Sequence, residues 1–176
     1  DTTTSEIDPT DTTTIDEPDT LTNEDNQVII DDTQGTAAAD NVESKVYDLS
    51  EYGYNMTIEL PEGCKISVGE LDECILQFGQ DFELWVQESF ETSVADRKTK
   101  FKNNRHNQNL GYLVDEADGY VVKIKSNGVI SHNLFYLFDV DGLKIEVINA
   151  QGKGYSYNEI MAMQRAVKTM RVKAAS

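Results

Sequence analysis

Five basic residues fall within nine positions and form the main candidate contact surface of this 176-residue sequence. The pattern is typical of a solvated helix face or of an electropositive patch that meets an acidic partner, an anionic envelope polymer or the chain's own acidic segment. We do not expect a nucleic-acid partner, because the net charge of −17 opposes binding to it. In addition, no aromatic residues alternate with the basic side chains to stack on nucleobases. The five residues are Arg97, Lys98, Lys100, Lys102 and Arg105.

The two cysteines are candidates for a disulfide. Cys64 and Cys74 lie ten residues apart on two predicted strands, which face each other if the turn between them is centred on Gly69 and Glu70. A cross-strand disulfide is then feasible, and an exported protein would favour it. Two buried free thiols are the alternative, and a reactive cysteine is a third.

The remaining chemistry-bearing residues do not form a catalytic or metal-binding pattern. His106 and His132 stand in no metal or triad spacing, and we expect both at the surface. Asp139 and Asp141 resemble the start of a calcium loop, but the twelfth position is Ala150 instead of the required Glu. We therefore expect no catalytic residue, no metal and no cofactor.

A second class of function would use the space between a helix and the sheet. Large aromatic residues commonly line small-molecule pockets, and four of them could do so here. A protein of this class would be a small-ligand carrier or an enzyme. The candidate pocket residues are Trp85, Phe90, Tyr112 and Tyr136.

The charge distribution divides the chain into two parts. Residues 1–45 carry 13 acidic residues and one base, whereas residues 46–176 carry 19 acidic and 14 basic residues. The first part has too few apolar residues to offset the entropy of ordering, so it is predicted to be a disordered acidic spacer. Its one apolar run, 28–30, could instead pair with the domain as a strand. Residues 46–176 suit a single domain.

A threonine-rich acidic spacer in front of a domain is typical of an exported protein. The sequence begins with Asp1 instead of Met, so we expect an export signal or lipid anchor upstream, with an arbitrary boundary as the alternative. The expected location is extracytoplasmic, in the cell envelope or secreted. A membrane contact is expected only through that anchor.

Hydrophobic periodicity predicts an α+β domain. Alternating residues in 54–60, 64–68 and 74–78 predict a three-strand meander, and 82–87 continues it. A helical stripe from position 91 ends in an Asn-rich run. Two hairpins then turn at Asp118-Gly119 and Asp141-Gly142, and 134–138 between them predicts a strand covered on both faces.

The last element is predicted to be a capped amphipathic helix. Ser156 and Glu159 have the spacing of a capping box, in which each side chain binds a free backbone N–H group of the first turn. Ile160, Met163 and Val167 follow on one face, and Met170 continues the stripe. We expect these methionines to fill the core against a sheet.

This order of elements resembles the PsbP-like family. Tyr52-Gly53-Tyr54 leads into the strand 58–60 and the turn Pro61-Glu62-Gly63, and a helix closes the chain, which is similar to members of that family. The resemblance implies a PsbP-like sandwich, that is, an antiparallel sheet of about six to seven strands flanked by two helices. It also implies a non-catalytic function. We expect an exported, surface-tethered interaction or accessory module whose partner is a protein or an anionic envelope component.

Overall fold

The described part of the chain, residues 37–104 and 106–174, forms an α+β fold in the computed structural model. Its helices are α1 (Val94–Lys102) and α2 (Tyr157–Lys168), and 3-10 turns lie at Ala38–Asn41 and Ser50–Tyr52. The predicted α+β class is confirmed. The strands are β1 (Ser44–Asp48), β2 (Met56–Pro61), β3 (Lys65–Val68), β4 (Cys74–Phe78), β5 (Phe82–Glu88), β6 (Asn107–Asp115), β7 (Gly119–Ser126), β8 (Val129–Val140), β9 (Leu143–Asn149) and β10 (Arg171–Val172).

The strands form two antiparallel sheets. The larger has seven strands in the order β3-β4-β5-β9-β8-β7-β6, in agreement with the predicted six to seven. The smaller has the order β1-β2-β10. The prediction that the strand at 54–60 joins the same meander as β3 and β4 is wrong, because β2 pairs with β1 and β10 instead. Alternation identified the strand, but it carries no information about which strand it pairs with.

The fold begins before the predicted boundary at residue 46. Strand β1 starts at Ser44, and Ala37 is already buried. Asp40 forms an ion pair with Arg165 on α2. Residues 37–45 therefore belong to the domain, while the rest of the predicted spacer, 1–36, lies outside the described residues.

Helix α2 covers the main core on one face of the large sheet. Ser156 Oγ accepts a hydrogen bond from the backbone N–H of Glu159, and the Glu159 carboxylate accepts one from the backbone N–H of Ser156. This confirms the predicted capping box. Ile160, Met163 and Val167 are buried in the core, as the stripe predicted.

Helix α1 covers a smaller core on the opposite face. Val94 is buried there with Tyr120 and Phe135 from β7 and β8. Strands β8 and β9 therefore have apolar residues packed on both faces, as predicted for 134–138. Among the described residues, neither helix is long and apolar enough to cross a membrane.

Helix α1 is shorter than the predicted stripe, which began at position 91. Ser93 caps it by accepting a hydrogen bond from the backbone N–H of Asp96, so the helix starts at Val94. The Asn-rich run does end the helix, but Asn107 already begins strand β6. Strand pairing with β7 overrides the low intrinsic strand propensity of asparagine.

The two predicted hairpins are present, but their glycines have different roles. Asp141 and Gly142 both have positive φ, as a tight turn requires. Gly119 instead permits close packing, since a Cβ atom there would lie 2.4 Å from the Tyr136 ring and 2.5 Å from the Phe135 carbonyl oxygen. A third hairpin, at Asn127-Gly128, joins β7 to β8 and was missed, although Asn-Gly is a strong hairpin signal.

Gly119→Ala is expected to destabilise the protein by about 2 kcal/mol, because the added methyl group must displace a buried ring and a backbone carbonyl. Gly128→Ala is the control: its φ is +83° but nothing lies within 4 Å of the new Cβ atom. It should cost about 1 kcal/mol from backbone strain alone. Urea denaturation measures both. Equal stability of Gly119→Ala and the unmodified chain would contradict the packing role.

A side-chain network joins the β6–β7 turn to α2 and predicts a pH effect. Glu116 Oε2 accepts hydrogen bonds from Lys168 Nζ at 2.7 Å and from Tyr136 Oη at 3.0 Å. The Lys168 hydrogen bond holds the pKa of Glu116 below its ordinary value of 4.5. A carboxyl group with a depressed folded-state pKa stabilises the fold above its unfolded pKa and loses that effect as pH falls through the folded pKa.

Glu116→Gln should therefore lower the thermal midpoint at pH 7 and have a progressively smaller effect as the pH falls from 5 to 3. The comparison is Glu62→Gln, which removes a carboxylate from an exposed residue away from this network. A Glu116→Gln effect that stays constant from pH 7 to pH 3 would show that ionisation of Glu116 is not its source.

Candidate functional site: a carboxylate-free groove beside helix α1

The face of the large sheet that carries α1 has a groove in an otherwise acidic chain. A cavity of about 220 Å³ lies between α1 and strands β7–β9. It adjoins a depression of about 420 Å³, and the two share Asn107, Asn133 and Gln151. The described residues that line the two include Arg97, Lys100 and Lys153 but no Asp, Glu, His or Cys.

Helix α1 is held at the edge of this groove by a buried carboxylate. Glu91 lies just before the helix and is almost fully buried. Its carboxylate pairs with Arg97 at 3.4 Å and with Lys100 at 2.8 Å. Arg97 also lies over the Phe135 ring, with 5.2 Å between Cζ and the ring centroid. One buried negative charge thus orients two cations whose other faces line the cavity.

The five predicted basic residues do not form one uniform patch. Arg97 and Lys100 line the cavity, as just described. Lys98 pairs with Asp115 on β6, and its Nζ lies 4.9 Å from the centroid of the Tyr112 ring on β6 and 5.5 Å from that of Tyr120 on β7. Lys98 therefore links the helix to both strands. Lys102 is exposed at the end of the helix, and Arg105 lies outside the described residues.

Amide side chains supply most of the polar lining. Asn149 is buried: its Oδ1 accepts the backbone N–H of Leu134 at 2.7 Å, and its Nδ2 donates to Asn133 Oδ1 at 3.3 Å. Amides both donate and accept hydrogen bonds, as peptide groups do, so they suit a ligand with peptide bonds. The cavity amides are Asn104, Asn107, Asn133, Asn149 and Gln151.

Lys153 marks the far end of the groove, on the loop before α2. Its Nζ lies 2.5 Å from Glu83 Oε2, and Trp85 Nε1 donates to the other Glu83 oxygen at 2.9 Å. Burial alone would raise the pKa of Glu83, but these hydrogen bonds outweigh it and the net pKa lies below the ordinary value. The Asn-rich run was predicted only to end a helix, and no site was predicted in the loop that carries Lys153, so both parts of the groove were missed.

The predicted aromatic pocket is not formed. Phe90 is 98% exposed in the β5–α1 loop. Tyr136 is fully buried on the α2 face, where its hydroxyl accepts a hydrogen bond from Gln164 Nε2 at 3.1 Å. Tyr112 packs against the smaller core on the α1 face, with Trp85 also half-buried. A helix–sheet cavity does exist, but strand alternation puts Tyr136 on the other face from Trp85 and Tyr112, and Phe90 lies in a loop.

The cysteines are free and the predicted disulfide is absent from the structure. The β3–β4 register aligns Cys74 with Val68, so the turn is centred near residue 71 and does not bring Cys64 opposite Cys74. Both thiols are buried, and burial raises the pKa of each to about 12. Such thiols are poor nucleophiles at neutral pH.

The histidines also lie apart. His106 is exposed, whereas His132 is 1% exposed, with Nδ1 3.0 Å from the Tyr155 carbonyl oxygen. The expectation of a surface position for His132 was wrong, because β8 is covered by the loop that carries Tyr155. Within the described ranges, no group of three potential ligands is placed to hold a metal ion.

Comparison with solved structures finds a fold similarity of modest size. The solution structure of a cyanobacterial PsbP from Synechocystis is similar, with a TM-score of 0.49 and 10% sequence identity over 80% of this chain and 99% of that chain. No family model matches the chain, and no curated protein matches it. The PsbP-like resemblance stays a prediction.

Thiol titration should distinguish the two states of the cysteines. With a thiol reagent at pH 8, the native protein is expected to react very slowly, since a pKa of about 12 leaves almost no thiolate. Two thiols per chain should appear once a denaturant is added without reductant. Finding none after denaturation would mean that Cys64 and Cys74 are oxidised.

Proposed function

We propose that this protein is a non-catalytic accessory module that binds an acidic, partly apolar segment of a partner protein in the groove beside α1. The observation that carries the proposal is the groove itself: three cations, six amides and no carboxylate in its described lining. The cations suit acidic side chains and the amides suit peptide groups. Phe101 and Ile148 offer apolar contact.

Catalysis is not supported by the groove residues. A nucleophilic mechanism needs a base within hydrogen-bond reach of a nucleophile and a third group to orient it. The described lining offers Ser126 and Ser131, but it includes no histidine or carboxylate. Binding is therefore the better-supported role for this surface.

An extended ligand fits better than a small molecule. The cavity beside α1 is about 220 Å³, and it continues into the open depression beside Lys153. A chain lying across both would use the full set of polar groups. Surface tethering outside the cytoplasm belongs to the same proposal, and its support is the acidic, threonine-rich composition of residues 1–36.

Lys100→Gln combined with Lys153→Gln should weaken binding of a Glu–Tyr copolymer roughly fivefold at low salt, or about 1 kcal/mol for two exposed charge contacts. The matched control is Lys45→Gln with Lys144→Gln, which changes the net charge equally at residues outside the groove. Fluorescence anisotropy of a labelled copolymer measures both. Plain polyglutamate should bind less tightly because it cannot use the apolar part of the groove.

Equal weakening by the two double variants would contradict the proposal, since it would reduce the effect to net charge. So would copolymer binding that does not decrease as salt rises, because exposed charge pairs are screened. Circular dichroism of the variants confirms that the sheet is retained. Lys100→Arg supplies a further test, since it keeps the charge and should retain most of the affinity.

A further inference from the structure

We propose that residues 24–32 of the N-terminal segment dock into the groove of their own chain and compete with the partner. The inference rests on the proposed function, since it assigns the regulation of the same groove. It commits to one occupant, an acidic stretch of this chain that lies outside the described residues. The partner then binds only when this stretch leaves.

The composition of the segment matches the groove. Residues 1–36 carry 11 acidic residues and no base. Within them, Glu24-Asp25 and Asp31-Asp32 are two acid pairs on either side of the apolar run 28–30. The groove has the complementary order: Arg97 and Lys100 at α1, apolar Phe101 and Ile148 beside them, and Lys153 at the far end. The apolar run is the only stretch of three apolar residues in that segment.

The segment joins the domain on the α2 face, beside the turn between β4 and β5. Ala37, the first described residue, is 8% exposed and lies next to Phe82 and the α2 residue Ala162. Glu83 follows Phe82 on β5 but points to the opposite face of the sheet, where its carboxylate binds Lys153. A chain that leaves the domain at Ala37 therefore passes around the β4–β5 turn to reach the Lys153 end of the groove. Asp32 is five residues away and reaches up to about 18 Å from it.

The two acid pairs have the spacing to contact both ends at once. Lys153 forms an ion pair with Glu83 on β5, and α1 packs on β7 and β8. Three strand spacings separate β5 from β7 in the order β5-β9-β8-β7, which is about 14 Å. Asp25 and Asp31 are six residues apart and span up to about 20 Å when extended. The segment can thus cross the groove without strain.

Covalent attachment makes a weak contact effective. A short flexible connection gives an effective concentration in the millimolar range. The partner binds only chains whose segment is undocked. Its apparent affinity is therefore its intrinsic affinity multiplied by the fraction of undocked chains. The competition is electrostatic, so it weakens as salt rises.

The first test measures docking itself, without any partner. Asn23→Cys is labelled with a nitroxide on the full chain; Cys64 and Cys74 have raised pKa values and are buried, so they do not take the label. Docking predicts broadened backbone amide resonances for Lys100 and Asn107 but not for Val46. About 1 M NaCl, where the Debye length is roughly 3 Å, should restore them. Absence of this selective broadening overturns the proposal.

The second test measures the competition. The full-chain variant with Glu24→Gln, Asp25→Asn, Asp31→Asn and Asp32→Asn should bind the Glu–Tyr copolymer roughly tenfold more tightly, if the docked state holds about nine-tenths of the chains. The matched control changes four equally charged positions nearer the terminus and should differ little. Those substitutions are Glu6→Gln, Asp8→Asn, Asp11→Asn and Asp16→Asn.

The two tests separate the two hypotheses. Equal affinity of both quadruple variants, with copolymer binding still sensitive to Lys100 and Lys153, overturns self-docking and leaves the groove as a binding site. Failure of every variant to bind the copolymer overturns the proposed function, whatever the nitroxide shows. Selective broadening together with tighter binding of the first variant supports both.

Discussion

The double-sided burial of strands β8 and β9 is the constraint on which the rest of the structure depends. Both strands carry apolar side chains on both faces, so water must be excluded from both. Helix α2 and the small sheet cover most of one face. The other face is left to α1, whose nine residues extend about 14 Å against a sheet about 29 Å wide. The groove is the part of this face that α1 is too short to cover.

Electrostatics then decides the character of that uncovered surface. The carboxylates nearest to it are already engaged: Glu91 is buried against Arg97 and Lys100, and Glu83 binds Lys153. Each acid orients a cation instead of facing the groove. A chain with a net charge of −17 thereby presents one surface free of exposed carboxylates in its described lining. An acidic segment is attracted there and repelled by much of the remaining surface.

Prediction from the sequence succeeded where a pattern is local and failed where partners are distant. The capping box of Ser156 and Glu159 and the Asp141-Gly142 turn were identified because their hydrogen bonds and backbone angles involve residues a few positions apart. The aromatic pocket failed because residue type does not tell on which face of a sheet a ring lies. Tyr112 on β6 and Tyr136 on β8 are both large aromatic residues of the same sheet, yet they belong to opposite cores.

The sequence by itself determined the α+β class, the amphipathic closing helix and the basic run on α1. Those properties depend on composition and on periods of two or 3.6 residues. Tertiary structure alone decided that Lys153 joins Arg97 and Lys100, that Cys64 and Cys74 stay apart, and that β2 leaves the meander. These relations follow from strand register and strand order. Both are set by which apolar faces are buried in the whole fold, and a short segment of sequence does not contain that information.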